Sequence, residues 1–466
     1  MISILRAVEP QTFCTLDKVA VENLNLRQVI RAFAANDDEC QYVLDTVCTL
    51  DQNSENIMAR QLAVQDFKAN PKLMQALKKA LSEVKEVKGA VKELSKNSVY
   101  SRAVFDEDSR HKARTTFGNL SDISRALLRL LRIYVNIEDI LSNLVFQSVL
   151  LQNLKIYFEK FAKSPEFNKF GKLIHAFSHI EADNSDICVS VSLYQEPGKM
   201  NVAFTSLNGM SVNGESFRVR IEQETVQRLI GKAVDELCKY LSETAESMVS
   251  QLTLLGGELQ FYNFALRFDE ILREKNIPCL YPQTAASWGD AFFENMYSIN
   301  LIAKDTFYIV PNSVSLQPLT VICGDNNSGK TCYLEGLAQS QIFAQAGLPV
   351  GAAAGKIFPV SDILTQFAAE EKKLGRFEEE VREVATMLKK VDERTLVLFN
   401  ETFQSTVYEE IAGPFKNILD ALVLAGAYTV TVSHNEFFID MCKADPETVL
   451  YHMGEDHTLI FSLNKV

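Results

Sequence analysis

The chain has no apolar run near the ~18 residues needed to cross a bilayer. Its longest candidate, residues 421–432, is short and broken by Gly426, Thr429 and Thr431. The first residues (Met1-Ile2-Ser3-Ile4-Leu5-Arg6) carry no charged segment followed by a long apolar core, so no secretory signal is expected. Nine cysteines are scattered without one C-x-x-C pair, which argues against a zinc site or a disulfide framework and for reduced thiols in a cytoplasm. Positive charge is also scarce. With 47 Lys+Arg against 60 Asp+Glu the net charge is −13, unlike the basic surface of a generic nucleic-acid binder. Residues 301–466 hold 13 basic and 22 acidic side chains and residues 1–300 hold 34 and 38, so any contact with a polyanion is expected from the N-terminal part.

What is present reads as an ordinary water-soluble protein of 466 residues, 47% hydrophobic, with room for two to four domains. Only Pro10, Pro71 and Pro165 interrupt the first 180 residues, and the pattern there is helical. Asn70-Pro71 marks a helix boundary, followed by Leu73, Leu77 and Leu81; a second apolar stripe runs from Leu127 to Leu141. Near Ile187 the period changes to two. Residues 187–194 and 201–205 are expected to pair as strands around the Glu196-Pro197-Gly198-Lys199 turn. Helical spacing returns from about Gln223 to Glu274 and stops before Asn276-Ile277-Pro278. Beyond Pro282, short strands alternate with helices, which predicts a mainly parallel α/β sheet from strands at 308–310, 319–323, 395–399, 428–432, 449–452 and 459–463. The expected division is a helical core with an outgoing arm (1–185), a small β insertion (186–216), returning helices (217–296) and an α/β nucleotide domain (297–466).

The chemistry concentrates in Gly324-Asp325-Asn326-Asn327-Ser328-Gly329-Lys330-Thr331, a G-x-x-x-x-G-K-T loop between an apolar strand and a helix. Backbone N–H groups of such a loop, with the helix N-terminus, make a concave anion site. Gly324 and Gly329 permit the tight backbone, Lys330 is placed for the β- and γ-phosphates, and Thr331 offers its hydroxyl to Mg²⁺. A chance Gly-rich turn would not carry both the strand and Lys-Thr. Some 70 residues later the apolar run Thr395–Phe399 ends in Asn400-Glu401. Glu401 is the candidate general base, and Asn400 is placed to bind Mg²⁺ through a water without adding charge. A third run, Tyr428–Val432, leads into Ser433-His434, where a neutral His is suited to sense a γ-phosphate, although a lone His is commonly structural.

In this order, and with Ala344-Gln345-Ala346-Gly347-Leu348-Pro349-Val350 between the loop and the second motif, the chain resembles the MutS family of DNA mismatch-repair proteins. Asn326 within the loop is shared with the wider ABC class of ATPases, but no L-S-G-G-Q signature is present. The segment Arg60–Pro71 is similar to the start of that family's helical core. The resemblance implies a P-loop ATPase domain preceded by an all-α core and lever arms with a clamp-like β insertion. It implies ATP and Mg²⁺ as cofactors, catalysis by Glu401 with His434 sensing, Phe307 stacking on adenine, and a homodimer formed through the ATPase domains. Double-stranded or branched DNA is the implied partner, contacted through its backbone near Lys199, Arg218 and Arg220.

Departures from the family pattern matter. Asn400 replaces the family's Asp, which lowers the expected turnover. Gly375 stands for the Ser of the loop that acts across the dimer, with Arg376 beside it as an alternative charge. The mismatch-reading and connector domains have no counterpart here, so specific mismatch reading is not expected. A different class of function is therefore carried alongside: a nucleotide-gated protein-interaction module with weak or no hydrolysis and no DNA binding. An ATPase of the SMC type fits less well, because those insert long coiled coils between the two nucleotide motifs.

Overall fold

The computed structural model describes residues 1–8, 14–96, 109–178, 189–196, 199–207, 210–211, 223–368, 376–403 and 407–462. The chain separates into two units. One comprises residues 1–3, 70–146 and 151–259; the other comprises residues 4–69, 147–150 and 260–466. The units do not coincide with a division at residue 297, because residues 4–69 fold together with the phosphate-loop segment.

The first unit is helical. Pro71 sits in the first turn of the helix Pro71–Leu81, where its missing N–H costs nothing, and Leu73, Met74 and Leu77 face inward. The helix Ser109–Ser142 buries Leu127, Leu130, Ile133, Tyr134, Ile137 and Leu141. Tyr134 packs on Phe158 with ring centroids 5.1 Å apart, and its hydroxyl donates to the carbonyl of Met248 at 3.1 Å. Met248 lies on the 52-residue helix Gln223–Glu274, whose ends fall where the return of helical spacing places them. The strands Val189–Glu196, Lys199–Leu207 and Met210–Ser211 form an antiparallel sheet, with Val189 opposite Leu207. Arg218 and Arg220 lie outside the described residues.

The second unit is built on a six-stranded sheet. Its strands are β1 (Leu319–Gly324), β2 (Asp362–Phe367), β3 (Thr395–Asn400), β4 (Tyr428–Val432), β5 (Thr448–Met453) and β6 (Leu459–Ser462). They lie in the order β2-β3-β4-β1-β5-β6, and β6 alone runs antiparallel to its neighbour. Four helices follow strands: α1 (Lys330–Ala346), α2 (Arg376–Leu388), α3 (Tyr408–Leu424) and α4 (Glu436–Lys443). Strand β1 is buried from Leu319 to Cys323 and β3 along its whole length, as a parallel sheet covered on both faces requires. The register sets Ile322 and Asn400 each opposite Val432. Three motif-bearing strand ends therefore arrive at one edge of the sheet, where α/β folds bind ligands.

One reading of the sequence needs correction, and one strand is absent from it. Residues 308–310 do not form a strand. Pro311 biases the residue before it toward extended backbone, which imitates a strand, but pairing begins only at Asn312–Ser315, in a separate four-stranded sheet with 283–284, 292–296 and 354–357. Strand β2 has no clear periodic signal, because it buries Thr365 and Gln366 among its apolar residues. Asn23 Nδ2 donates to Thr365 Oγ1 at 3.0 Å, and Thr402 Oγ1 hydrogen-bonds the Gln366 side chain. Such burial is stable only because polar partners are present.

Helix α1, which begins at the phosphate loop, is buried along almost its whole length. Two of its buried amides are matched by backbone groups. Gln339 Nε2 donates to the Leu24 carbonyl at 2.8 Å, and the Gln345 amide both donates to the Val360 carbonyl (2.7 Å) and accepts from the Val360 N–H (2.9 Å). Glu335 accepts from Asn25 and Asn300, while burial pushes its carboxyl above the usual carboxylate range. Arg60 is buried against the end of α1; its guanidinium pairs with Asp51 at 3.2 Å and donates to the Gln345 carbonyl at 3.4 Å.

Candidate functional site

The loop Asp325–Gly329 leaves β1 and enters α1, and two of its residues show why the local sequence is glycine-rich. Gly324 has φ +146°, and a Cβ built there would stand 2.5 Å from the Met453 carbonyl of neighbouring β5. Gly329, the helix cap, has φ +101°. A backbone carbonyl in a paired strand cannot move aside cheaply, so Gly324→Ala is expected to destabilise this unit by roughly 2 kcal/mol or more. In a thermal melt that is a fall of several degrees; an unchanged midpoint would contradict the assignment.

Lys330, 5% exposed, folds back on its own loop and donates to the carbonyls of Gly324 (2.8 Å) and Asp325 (2.7 Å). Its Nζ also lies 4.0 Å from Glu401 Oε1. Thr331 Oγ1 donates to Asn400 Oδ1 at 3.0 Å, so the two residues expected near a metal are in direct contact although 69 positions apart. The buried Ser328 hydroxyl has no hydrogen-bond partner among the described residues. An orphaned hydroxyl in a loop of N–H donors is what a site completed by an external anion leaves behind.

Glu401 takes a left-handed backbone (φ +54°) at the end of β3, an arrangement costing of order 1 kcal/mol for a non-glycine residue. Its N–H donates to the Val432 carbonyl, which holds the turn against β4. The carboxylate is thereby placed between two basic groups. Lys330 is on one side, and His434 Nδ1 is 2.6 Å from Glu401 Oε2 on the other, off the line of a well-formed hydrogen bond. The far nitrogen of His434, Nε2, is 2.7 Å from the Tyr408 hydroxyl. Asn435 fixes this corner: it caps α4 by accepting from Phe438 N–H, and it donates to the Tyr408 carbonyl at 3.0 Å.

The structure thus brings together Gly324 to Thr331, Asn400, Glu401 and His434. Phe307 stands on the strandless segment before Asn312, with its ring fully exposed beside the exposed Tyr308. Gly375 lies outside the described residues, and Arg376 begins α2. Two residues that spacing does not reveal belong to the same neighbourhood. One is Tyr408. The other is His457, whose Nδ1 is 2.8 Å from the Ser328 carbonyl. Since a carbonyl only accepts, this nitrogen carries the proton. Asn312 Nδ2 donates to the His457 carbonyl at 3.0 Å, which ties the segment after Phe307 to the phosphate loop.

The residues present suit a magnesium-bound nucleoside triphosphate. The loop offers N–H groups and an unpartnered hydroxyl, and Thr331 with Asn400 supplies two neutral oxygens. Among the described residues there is no cluster of three His, Cys, Asp or Glu side chains able to hold a metal ion. Mg²⁺ held by one or two protein oxygens plus phosphates matches that chemistry better than an all-protein cage.

Residues 320–452 match the family model described as MutS domain V. The chain is 24% identical over 400 residues to Endonuclease MutS2 of Ligilactobacillus salivarius (strain UCC118), covering 78% of this chain and 46% of that protein. It is 26% identical over 217 residues to Endonuclease MutS2 of Enterococcus faecalis (strain ATCC 700802 / V583), covering 46% and 26%. It is 25% identical over 279 residues to MutS protein homolog 4 of Homo sapiens, covering 57% and 28%. The chain thus spans less than half the length of these curated relatives.

Proposed function

The chain belongs to the MutS family, and we propose that it is an ATP-binding, slowly hydrolysing switch that acts on DNA. The observation that carries this reading is the convergence of the phosphate loop, Asn400, Glu401 and His434 at one edge of a parallel sheet, with Thr331 Oγ1 bonded to Asn400. Magnesium, when bound, supplies charge neutralisation for the phosphates. The remaining roles fall to the chain's own groups. The loop N–H donors and Ser328 hold phosphate oxygens, and Lys330 exchanges its loop carbonyls for the β- and γ-phosphates. Thr331 and Asn400 orient the metal's oxygen shell, Glu401 accepts a proton from the attacking water, and His434 senses the γ-phosphate. Phe307 stacks on the base. Two copies meet through their ATPase domains, and nucleotide state moves the helical arms around DNA.

Asn400 determines the rate. An amide contributes no charge to the metal, so Asn400→Asp is expected to raise Mg-ATP turnover, by roughly tenfold for about 1.4 kcal/mol of added transition-state stabilisation. Steady-state phosphate release beside wild type is the measurement. Unchanged or lower turnover would remove this account of the metal site.

The same Asn400, with the net charge of −13, favours a second reading in which nucleotide gates a protein partner and DNA is not bound. Filter binding of duplex and branched DNA with and without ATP separates the two. No retention at low salt would leave only the second.

A further inference from the structure

The acidity of this chain is unevenly distributed. Residues 71–96 and 109–142 together carry 13 Lys+Arg against 6 Asp+Glu, a net of +7, which leaves 34 against 54, a net of −20, on the rest. Both stretches belong to the first unit. On the helix Val84–Lys96, Val84, Val87 and Val91 are buried, so Lys85 and Lys88 are turned outward and exposed. On Ser109–Ser142, Leu127, Leu130 and Ile133 are buried, and Arg125, Arg129 and Arg132 lie on the exposed side. Arg129 Nη1 meets Glu86 Oε2 at 2.9 Å, which sets the two outward faces side by side. Glu83 is also exposed, and the described acids Glu138 and Asp139 lie further along Ser109–Ser142. Pro71–Leu81 adds the exposed Lys72 and Lys79.

We propose that these two adjacent helix faces are a docking surface for the phosphate backbone of double-stranded nucleic acid. The proposal deepens the DNA half of the function given above and rests on it, but it places the interaction on the helical core rather than on the β insertion. The composition of the surface selects this occupant. Among the described residues 71–92 and 125–132, no aromatic or large aliphatic side chain is exposed. A single strand would call for aromatic platforms on which bases stack, and a membrane surface for an apolar face to insert. Neither is present. What remains is spread positive charge on rigid helices, which reads a regular line of phosphates without reading sequence.

The test uses the full chain and a labelled duplex DNA, with fluorescence anisotropy followed across salt. Wild type is expected to bind at low salt and to weaken steeply as salt rises. The triple variant Lys85→Glu/Lys88→Glu/Arg132→Glu is expected to bind at least roughly tenfold more weakly, with a salt slope lower by about one for each phosphate that is no longer neutralised. Its ATP binding and helical circular dichroism should match wild type; a Gln-for-charge triple serves as the milder second variant. Lys199→Glu, in the β insertion, tests separately the contact that the family resemblance implies there. The proposal is overturned if both triples bind with the wild-type slope, or if Lys199→Glu alone removes it. It is also overturned if wild type binds no duplex at low salt, in which case undiminished ATP binding would show that the nucleotide reading survives without it.

Discussion

Glu401→Gln is expected to bind Mg-ATP within about threefold of wild type and to turn it over at least roughly a hundredfold more slowly, the usual loss when a positioned general base is removed. The geometry makes this a sharp test. Gln keeps the length and the left-handed backbone of Glu401 but cannot accept a proton from water. The carboxylate lies 4.0 Å from the Lys330 ammonium and 2.6 Å from His434 Nδ1, so a second effect is expected in the same experiment. Removing the negative charge weakens the hold on both basic groups, freeing Lys330 for phosphate, so affinity should be unchanged or slightly better. Equal losses in binding and turnover would instead mean that Glu401 braces the loop, and an unchanged rate would place the base elsewhere.

How much of the fold and the site is legible in the sequence follows from where the information lies along the chain. The phosphate loop is a local signal: glycines at fixed offsets, Lys-Thr, an apolar strand before and a helix after. All of it falls within the continuous stretch 319–346, and the strand and helix form there. The helix Gln223–Glu274 is equally legible, because periodicity over many turns accumulates. Pairings between distant residues are not. His457 reaches the Ser328 carbonyl from 129 positions away, and no spacing announces it. Arg60 reads in sequence as part of a helical core, yet it is buried against the last turn of α1, with its charge met by Asp51. Strand β2 is hidden because Thr365 and Gln366 look exposed until Asn23 and Thr402 supply their partners. In each case the residue type is explained by a partner brought close by topology, and sequence proximity carries no trace of it.

Lys330→Ala should abolish the response to nucleotide while costing the fold little. In this structure the ammonium bonds two carbonyls of its own loop, Gly324 and Asp325, and lies near Glu401. An account in which Lys330 is only a loop brace predicts a lower melting temperature without ATP and a normal upward shift on adding it. The proposed role predicts the reverse pattern. The ligand-free midpoint moves modestly, because water can reach the vacated carbonyls at the mouth of the loop. The ATP-dependent shift, which scales with the logarithm of ligand concentration over dissociation constant, nearly vanishes. Losing charge-assisted bonds worth about 1.5–3 kcal/mol weakens ATP binding by roughly 10- to 150-fold. Arginine is a poor substitute, since its planar fork cannot fill the compact position between the two carbonyls, so Lys330→Arg should resemble the alanine variant. A Lys330→Ala protein that keeps its full ATP-induced shift would detach the loop from phosphate binding altogether.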